Sequence, residues 1–233
     1  TSATQVIMKT LKPDFGVIGE GEETILELFK LLKEGKNPNG IHGIAYIDIQ
    51  GELITNPARK EIKNLDALPF PDFDGFGFKE YLDNKSLGDN SATIACDYPR
   101  TYPIHASRGC PYHCSFCYHY ESKYRTRSVK SVMDELRINV PKYGINMISL
   151  YDDLFTVTRK RALEFCNEIK VLRQELDVDL KWMCQMSVKT VDEEIFDALK
   201  NSGCYGVSYG FESYSQKILK SMGKPIKPEQ IDY

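Results

Sequence analysis

No run of apolar residues in these 233 positions approaches the length of a membrane-spanning helix, and no secretory signal is visible. That argues against a membrane-embedded protein. Charge of either sign is not in excess: 30 Lys and Arg stand against 33 Asp and Glu, a net of −3. No global field draws this chain to nucleic acid or to an acidic membrane surface. A pairable cysteine framework is missing as well. There are seven cysteines, an odd number, and three of them crowd into eight residues. That pattern disfavours a disulfide scaffold and predicts a metal site in a reducing, cytoplasmic compartment. What is present is ordinary globular composition, 42% hydrophobic and 27% charged, enough for one large domain or two small ones.

Near the N-terminus, residues 2–11 fit a short helix. Residues 14–19 are a short apolar run broken by glycines. Glu20-Gly21-Glu22-Glu23 then leads into a helix whose Thr24, Ile25, Leu28, Phe29 and Leu32 recur at helical spacing, with acids in the first turn. Strand, glycine turn and helix N-terminus together present backbone to a ligand, with Gly19 and Gly21 in the turn. The same residues also suit a tight connection with no ligand. Segments 44–49 and 52–55 flank Gln50-Gly51 as a hairpin. Leu68-Pro69-Phe70-Pro71-Asp72-Phe73-Asp74 reads as an ordered, extended connector, which places a domain boundary between 1–70 and 71–233. Residues 75–100 show only weak periodicity.

From residue 102 the pattern becomes regular. Strands at 102–108, 145–151, 180–188 and 204–212 alternate with helices at 128–143, 158–176, 191–202 and 215–222, the third helix closed by Gly203. Four β-then-α units in series predict an α/β fold with parallel strands and right-handed crossovers. Helices this regular point to part of a (β/α) TIM-like barrel, where chemistry sits at the C-terminal ends of the strands. The residues at those ends are a cysteine loop, Asp152-Asp153, Ser187 and Glu212. In the fourth strand Gly206, Ser208, Gly210 and Glu212 share one face. Three small residues and an acid make a poor core and a good floor for a ligand, although tight helix packing accounts for the same pattern. Asp152-Asp153 likewise suits an N-cap of the following helix.

The cysteine loop carries Cys110, Cys114 and Cys117, spaced C-x₃-C-x₂-C. Thiolates suit zinc or an iron–sulfur cluster. A structural zinc site needs a fourth ligand, from His113, His119 or a distant cysteine. A [4Fe-4S] cluster held by three cysteines keeps one iron free of protein and open to a substrate or cofactor. Cys96, Cys166, Cys184 and Cys204 read as small buried residues, and His105 as core or barrel lining.

Residues 107–118, with the aromatic Phe116 before the third cysteine, resemble the radical S-adenosylmethionine (SAM) superfamily. So do Arg125-Thr126-Arg127-Ser128, Tyr151-Asp152-Asp153-Leu154-Phe155 and Gly210-Phe211-Glu212-Ser213. Within it they resemble the subgroup with an N-terminal cobalamin-binding domain, and residues 15–22 look like the last strand and turn of that domain. The resemblance implies a partial radical SAM barrel preceded by the remnant of a Rossmann-like cobalamin-binding domain. It implies that Cys110, Cys114 and Cys117 ligate a [4Fe-4S] cluster whose open iron binds SAM. Reductive cleavage of SAM would then start radical chemistry, with methyl transfer, ring formation or rearrangement as outcomes. Phe116 and Tyr118 would lie near the adenine, Asp152 or Asp153 would face the methionine ammonium, and Ser187 and Glu212 would complete the SAM contacts. Gly19 and Gly21 would lie on the cobalamin side. A small-molecule substrate and an electron donor such as flavodoxin or ferredoxin are implied as partners.

The chain departs from that pattern in places. Four βα units stand where six are usual, the glycine-rich motif of a fifth strand is missing, and the cobalt-ligating Asp-x-His-x-x-Gly motif is absent. Ser187 stands where many relatives carry a basic residue. With Thr at position 1, these features predict a fragment of a longer protein. Two other classes remain open at this level: a zinc-stabilised binding module and an iron–sulfur electron-transfer protein.

Overall fold

The structure, a computed structural model, describes residues 3–84, 96–118 and 123–232. They divide into two compact units, 1–63 and 64–233.

The first unit holds α1 (Thr4–Leu11), β1 (Gly16–Val17), α2 (Glu22–Lys33), β2 (Ile44–Ile47) and β3 (Leu53–Thr55). Its strands form one antiparallel sheet in the order β1-β2-β3, so these three strands do not display the parallel pairing of a Rossmann-like sheet. The expected hairpin is present. Gly51 takes φ +84° at its tip, and the Asp48 carboxylate accepts from the backbone of Gln50 and Glu52. Leu28, Ile41 and Ile44 form a small core. Arg59 ties the loop to α2 by donating to Thr24 Oγ1 at 2.9 Å and pairing with Glu27.

The second unit begins with α3 (Phe78–Asp83) and β4 (Thr101–Ile104), then the short strands β5 (Ser107–Arg108) and β6 (Arg125–Thr126). It continues with α4 (Val129–Tyr143), β7 (Met147–Leu150), α5 (Arg159–Leu176), β8 (Lys181–Met186), α6 (Glu193–Asn201), β9 (Cys204–Tyr209) and α7 (Gln216–Ser221). The main sheet runs β4-β7-β8-β9, and every neighbouring pair is parallel. Strand order follows chain order without reversal. Right-handed crossovers then put successive helices on one face of the sheet, which is the winding of a (β/α) barrel; these four strands form an open sheet of that winding. The first three βα junctions end in a capping side chain, and the fourth, at Ser215, does not. Ser128, Thr158 and Asp192 accept from the backbone N–H groups of Ser131, Arg161 and Ile195.

Between sheet and helices lies an aromatic core. Phe155 and Phe165 meet edge-on at 4.7 Å between ring centroids, and Phe165 lies 5.1 Å from Trp182. All three are fully buried, and the Trp182 indole donates to the Ser202 carbonyl at 3.2 Å. A buried carboxylate, Glu135, is satisfied from both sides: Tyr102 donates to one oxygen at 2.8 Å and Arg127 to the other at 2.6 Å. Pairing of this kind offsets the cost of taking the charges out of water.

Three expectations need correction. The first strand of the barrel does not run unbroken over 102–108. It leaves the sheet after Ile104, and β5 pairs antiparallel with β6 instead. Asp152 causes the break, because its Oδ1 accepts from Ala106 N–H at 2.8 Å and Ser107 N–H at 3.1 Å and so draws both groups away from the ladder. His105 sits in the break with a side chain 63% exposed, not in the core. Cys166 and Cys184 are buried as expected, but Cys96 and Cys204 are only half-buried.

Phe165→Ala should cost about 3–5 kcal/mol of unfolding free energy, measured by urea denaturation of the otherwise unchanged chain. A loss below about 1 kcal/mol would mean that the aromatic trio does not hold the sheet to its helices.

Candidate functional site

Gly109, at φ +77°, turns the chain out of β5 and over the C-terminal ends of the parallel strands. The loop that follows is held at its centre. Ser115 N–H donates to the Met222 carbonyl at 2.8 Å, and Cys117 N–H to the Cys114 carbonyl at 3.1 Å. Cys110, Cys114 and Cys117 all line one cavity. Tyr118, Asp153, Ser187 and Glu212, four further residues singled out from the sequence, line it too. The cavity therefore gathers the ends of β5, β7, β8 and β9, where barrel chemistry is placed.

The three cysteines differ in exposure. Cys114 is buried, Cys110 half-buried and Cys117 exposed. Burial pushes the thiols of Cys110 and Cys114 up. Metal ligation needs thiolates, so a cluster held by these two would release protons as it loads. Among the described residues, no three His, Cys, Asp or Glu side chains are placed to hold a single metal ion. Zinc would require its donors to converge within about 2.0–2.3 Å of one point. A [4Fe-4S] cluster takes each thiolate on a different iron, so the sulfurs need only surround a shared space. The donor set fits the cluster. His113 is exposed and does not line the cavity; His119 lies outside the described residues.

The acidic pair splits its roles. Asp153 is exposed and lines the cavity, whereas Asp152 is buried beneath it and is not brought to the cavity wall. One Asp152 oxygen holds the two backbone N–H groups that bend the chain out of β4, and the other has no hydrogen-bond partner. Burial pushes this carboxyl up to about 7, partly countered by the two backbone donors. Neither aspartate caps α5; Thr158 does.

Glu212 takes φ +60°, a left-handed conformation uncommon outside glycine. It pairs with Lys224 at 3.2 Å. Gly210 makes room for that pair, since a Cβ there would lie 2.6 Å from Glu212 Oε1 and 2.8 Å from Lys224 Nζ. The small-residue face is thus partly a seat for an ion pair. Gly210 and Glu212 line the cavity beyond the end of β9, while Gly206 and Ser208 do not. Ser187 caps a single turn over Val188–Thr190. Phe116 is 49% exposed and stands outside the cavity wall, 5.8 Å from Lys224 Nζ to ring centroid. Gly19 and Gly21 belong to the first unit, where Gly19 turns at φ +85° with open space around it and Gly21 precedes α2.

Several cavity residues were not foreseen, among them Tyr112, Gln185, Lys224 and Ile226. Gln185 was reachable, since it shares the parity of Ser187 along one strand. Lys224 was not. It reaches the rim through the turn after α7, which no local pattern announces.

The profile of the radical SAM superfamily matches residues 104–232, more than half of the chain. The chain belongs to the radical SAM superfamily. An uncharacterized methyltransferase of Pyrococcus horikoshii is 35% identical over 93% of this radical SAM chain and 44% of its own length. An anaerobic magnesium-protoporphyrin IX monomethyl ester cyclase of Rubrivivax gelatinosus is 30% identical over 97% of the chain and 39% of its own length. Among solved structures, the cobalamin-dependent SAM radical enzyme OxsB, with aqua-cobalamin and SAM bound, aligns with a TM-score of 0.74 at 22% identity. That match covers 98% of this chain and 32% of OxsB, and the likeness is one of fold. The chain therefore spans less than half the length of these relatives.

Asp152→Asn isolates the buried carboxyl. A folded-state pKa raised from 3.8 to about 7 contributes stability at low pH that is lost as pH rises through about 7. In the Asn variant, denaturant titrations between pH 4 and about 8 should lack that part of the decline. Equal slopes in both proteins would show that Asp152 ionises freely in the folded chain.

Proposed function

We propose that this protein is a radical SAM enzyme that holds a [4Fe-4S] cluster on Cys110, Cys114 and Cys117 and cleaves SAM reductively at its open iron. One observation carries the reading: the three cysteines share a single cavity with Asp153, Ser187 and Glu212 at the C-terminal ends of the parallel strands. When bound there, the cluster supplies an electron and an open coordination position, and SAM supplies a sulfonium whose cleavage gives a 5′-deoxyadenosyl radical. The protein's part is binding, orientation and exclusion. Asp153 and Glu212 offer carboxylates to the ammonium and ribose hydroxyls of SAM. Tyr118 offers an aromatic surface to the adenine, and Phe116, outside the wall, supports the loop. Leu154, Met186 and Ile226 are buried apolar walls that keep water from a reactive radical. Asp152 holds the strand break from which the loop departs.

The relatives divide between a methyltransferase and a cyclase, so the reading extends to radical chemistry on a small-molecule substrate, with methyl transfer as one outcome. Cobalamin in the whole protein is part of the same proposal. It is supported by the likeness to OxsB and by the strand–Gly19–Gly21–helix turn of the first unit. A flavodoxin or ferredoxin is the class of electron donor such a cluster requires. None of the seven cysteines is in a disulfide, which supports a reducing, cytoplasmic setting; among the described residues, no helix is long and apolar enough to cross a membrane.

Anaerobic reconstitution should load about four irons and four sulfides per chain, and reduction with dithionite in the presence of SAM should release 5′-deoxyadenosine. Cys114→Ala should abolish both. Stoichiometric zinc without sulfide would replace this reading with a zinc module, and a redox-active cluster that leaves SAM intact would replace it with an electron carrier.

A further inference from the structure

The turn after α7 is built into the cysteine loop. Met222 accepts the Ser115 N–H at 2.8 Å. Gly223, at φ +66°, lies so close to the His113 carbonyl that a Cβ would stand 3.2 Å from it. Lys224 N–H then closes the turn on the Leu219 carbonyl at 2.9 Å, and Leu219 is itself fully buried against Val188 and Ile226. The turn is thus fixed from both sides, and it delivers one side chain to the cavity. That side chain is Lys224, only 17% exposed. Among the described residues lining the cavity it is the sole cation, beside the carboxylates of Asp153 and Glu212 and the three thiols. Its Nζ lies 3.2 Å from Glu212 Oε1 and 5.8 Å from the ring centroid of Phe116, which stands between Cys114 and Cys117 in sequence.

Resting on the cluster reading above, we propose that Lys224 is a positioning residue that sets the reduction potential of the cluster. Three thiolates around a four-iron core give a centre of net negative charge, and reduction adds one more. A fixed ammonium in a partly water-excluded cavity favours the more negative, reduced state, because Coulomb interaction strengthens as the effective dielectric falls. Glu212 holds that ammonium at the cavity, and Gly210 and Gly223 are the two positions whose missing side chains let it be there. Residues that surround a cluster without ligating it tune its potential in this way.

The test compares Lys224→Met, Lys224→Arg and the unchanged chain, each reconstituted anaerobically and titrated potentiometrically with the cluster followed by electron paramagnetic resonance, SAM absent. A redox-active cluster in the unchanged chain is the precondition, and its failure would count against the function proposed above before any variant is made. Lys224→Met with full iron and sulfide should shift the midpoint to more negative potential, and Lys224→Arg should restore most of it. A fully loaded Met variant with an unmoved midpoint overturns the proposal. If the Met variant fails to load, Lys224→Gln replaces it in the titration, and an unmoved midpoint in the loaded Gln variant overturns the proposal. Failure of both variants to load assigns Lys224 a purely structural role and overturns it.

Discussion

A single carboxylate oxygen decides where the chain stops being a sheet and starts being a site. Asp152 Oδ1 takes the N–H groups of Ala106 and Ser107, donors that a continuing strand would have given to its neighbour. Backbone donors buried without partners are costly, so the carboxylate is what makes the departure of the chain tolerable. It permits β5 to pair with β6 outside the main sheet, and Gly109 then directs the cysteine loop over the strand ends. The arrangement has its own cost. Asp152 is buried, one oxygen lacks a partner, and the group holds its proton well above the usual carboxylate range. A buried, imperfectly satisfied carboxyl is retained here because it shapes the backbone on which the loop depends.

The cavity above it mixes apolar walls with few charges. Leu154, Met186 and Ile226 are buried, while Asp153, Glu212 and the ammonium of Lys224 share the lining, with Glu212 paired to Lys224. Glu212 is held by Lys224 and by a left-handed backbone. Strain of that kind persists only where surrounding contacts enforce it, and it gathers at functional sites. Here the enforcing contacts are visible: the ion pair to Lys224 and the vacancy at Gly210 that accommodates it. The cation also stands close to Phe116, so the loop residue beside the cysteines, the β9 end and the turn after α7 form one electrostatic unit.

Much of this was legible in the chain because it rests on local signals. The βα alternation from 102 onward and the glycine stop at Gly203 follow from short-range chemistry, whereas the N-cap of α5 falls on Thr158 and not on the Asp152-Asp153 pair that the pattern offered. The cysteine loop stood out because three soft donors in eight residues have few uses other than a metal centre. What escaped was non-local. The break after Ile104 depends on a carboxylate 46 residues away. Lys224 reaches the cavity only because α7 buries Leu219 and returns the chain to the rim. The pairing of β1 with β2 runs antiparallel, which a strand of two residues cannot announce by pattern. Asp152 and Asp153, adjacent and chemically alike, take different roles because alternation along a β-end sends neighbouring side chains to opposite sides.

The loop and the last βα unit depend on each other, and this has a consequence for assembly. Each N–H group of the loop needs an acceptor or water, and Ser115 finds its acceptor in Met222, on the far side of three intervening βα units. A contact of such sequence separation repays its loop-closure entropy only after the intervening elements are in place. The turn after α7, with Gly223 against His113 and Lys224 beside Phe116, therefore holds the loop through contacts that need the sheet β4-β7-β8-β9 beneath it. The same turn carries both the backbone acceptor for Ser115 and the ammonium of Lys224, so the placing of the cysteine loop and the charge beside it rest on one set of contacts.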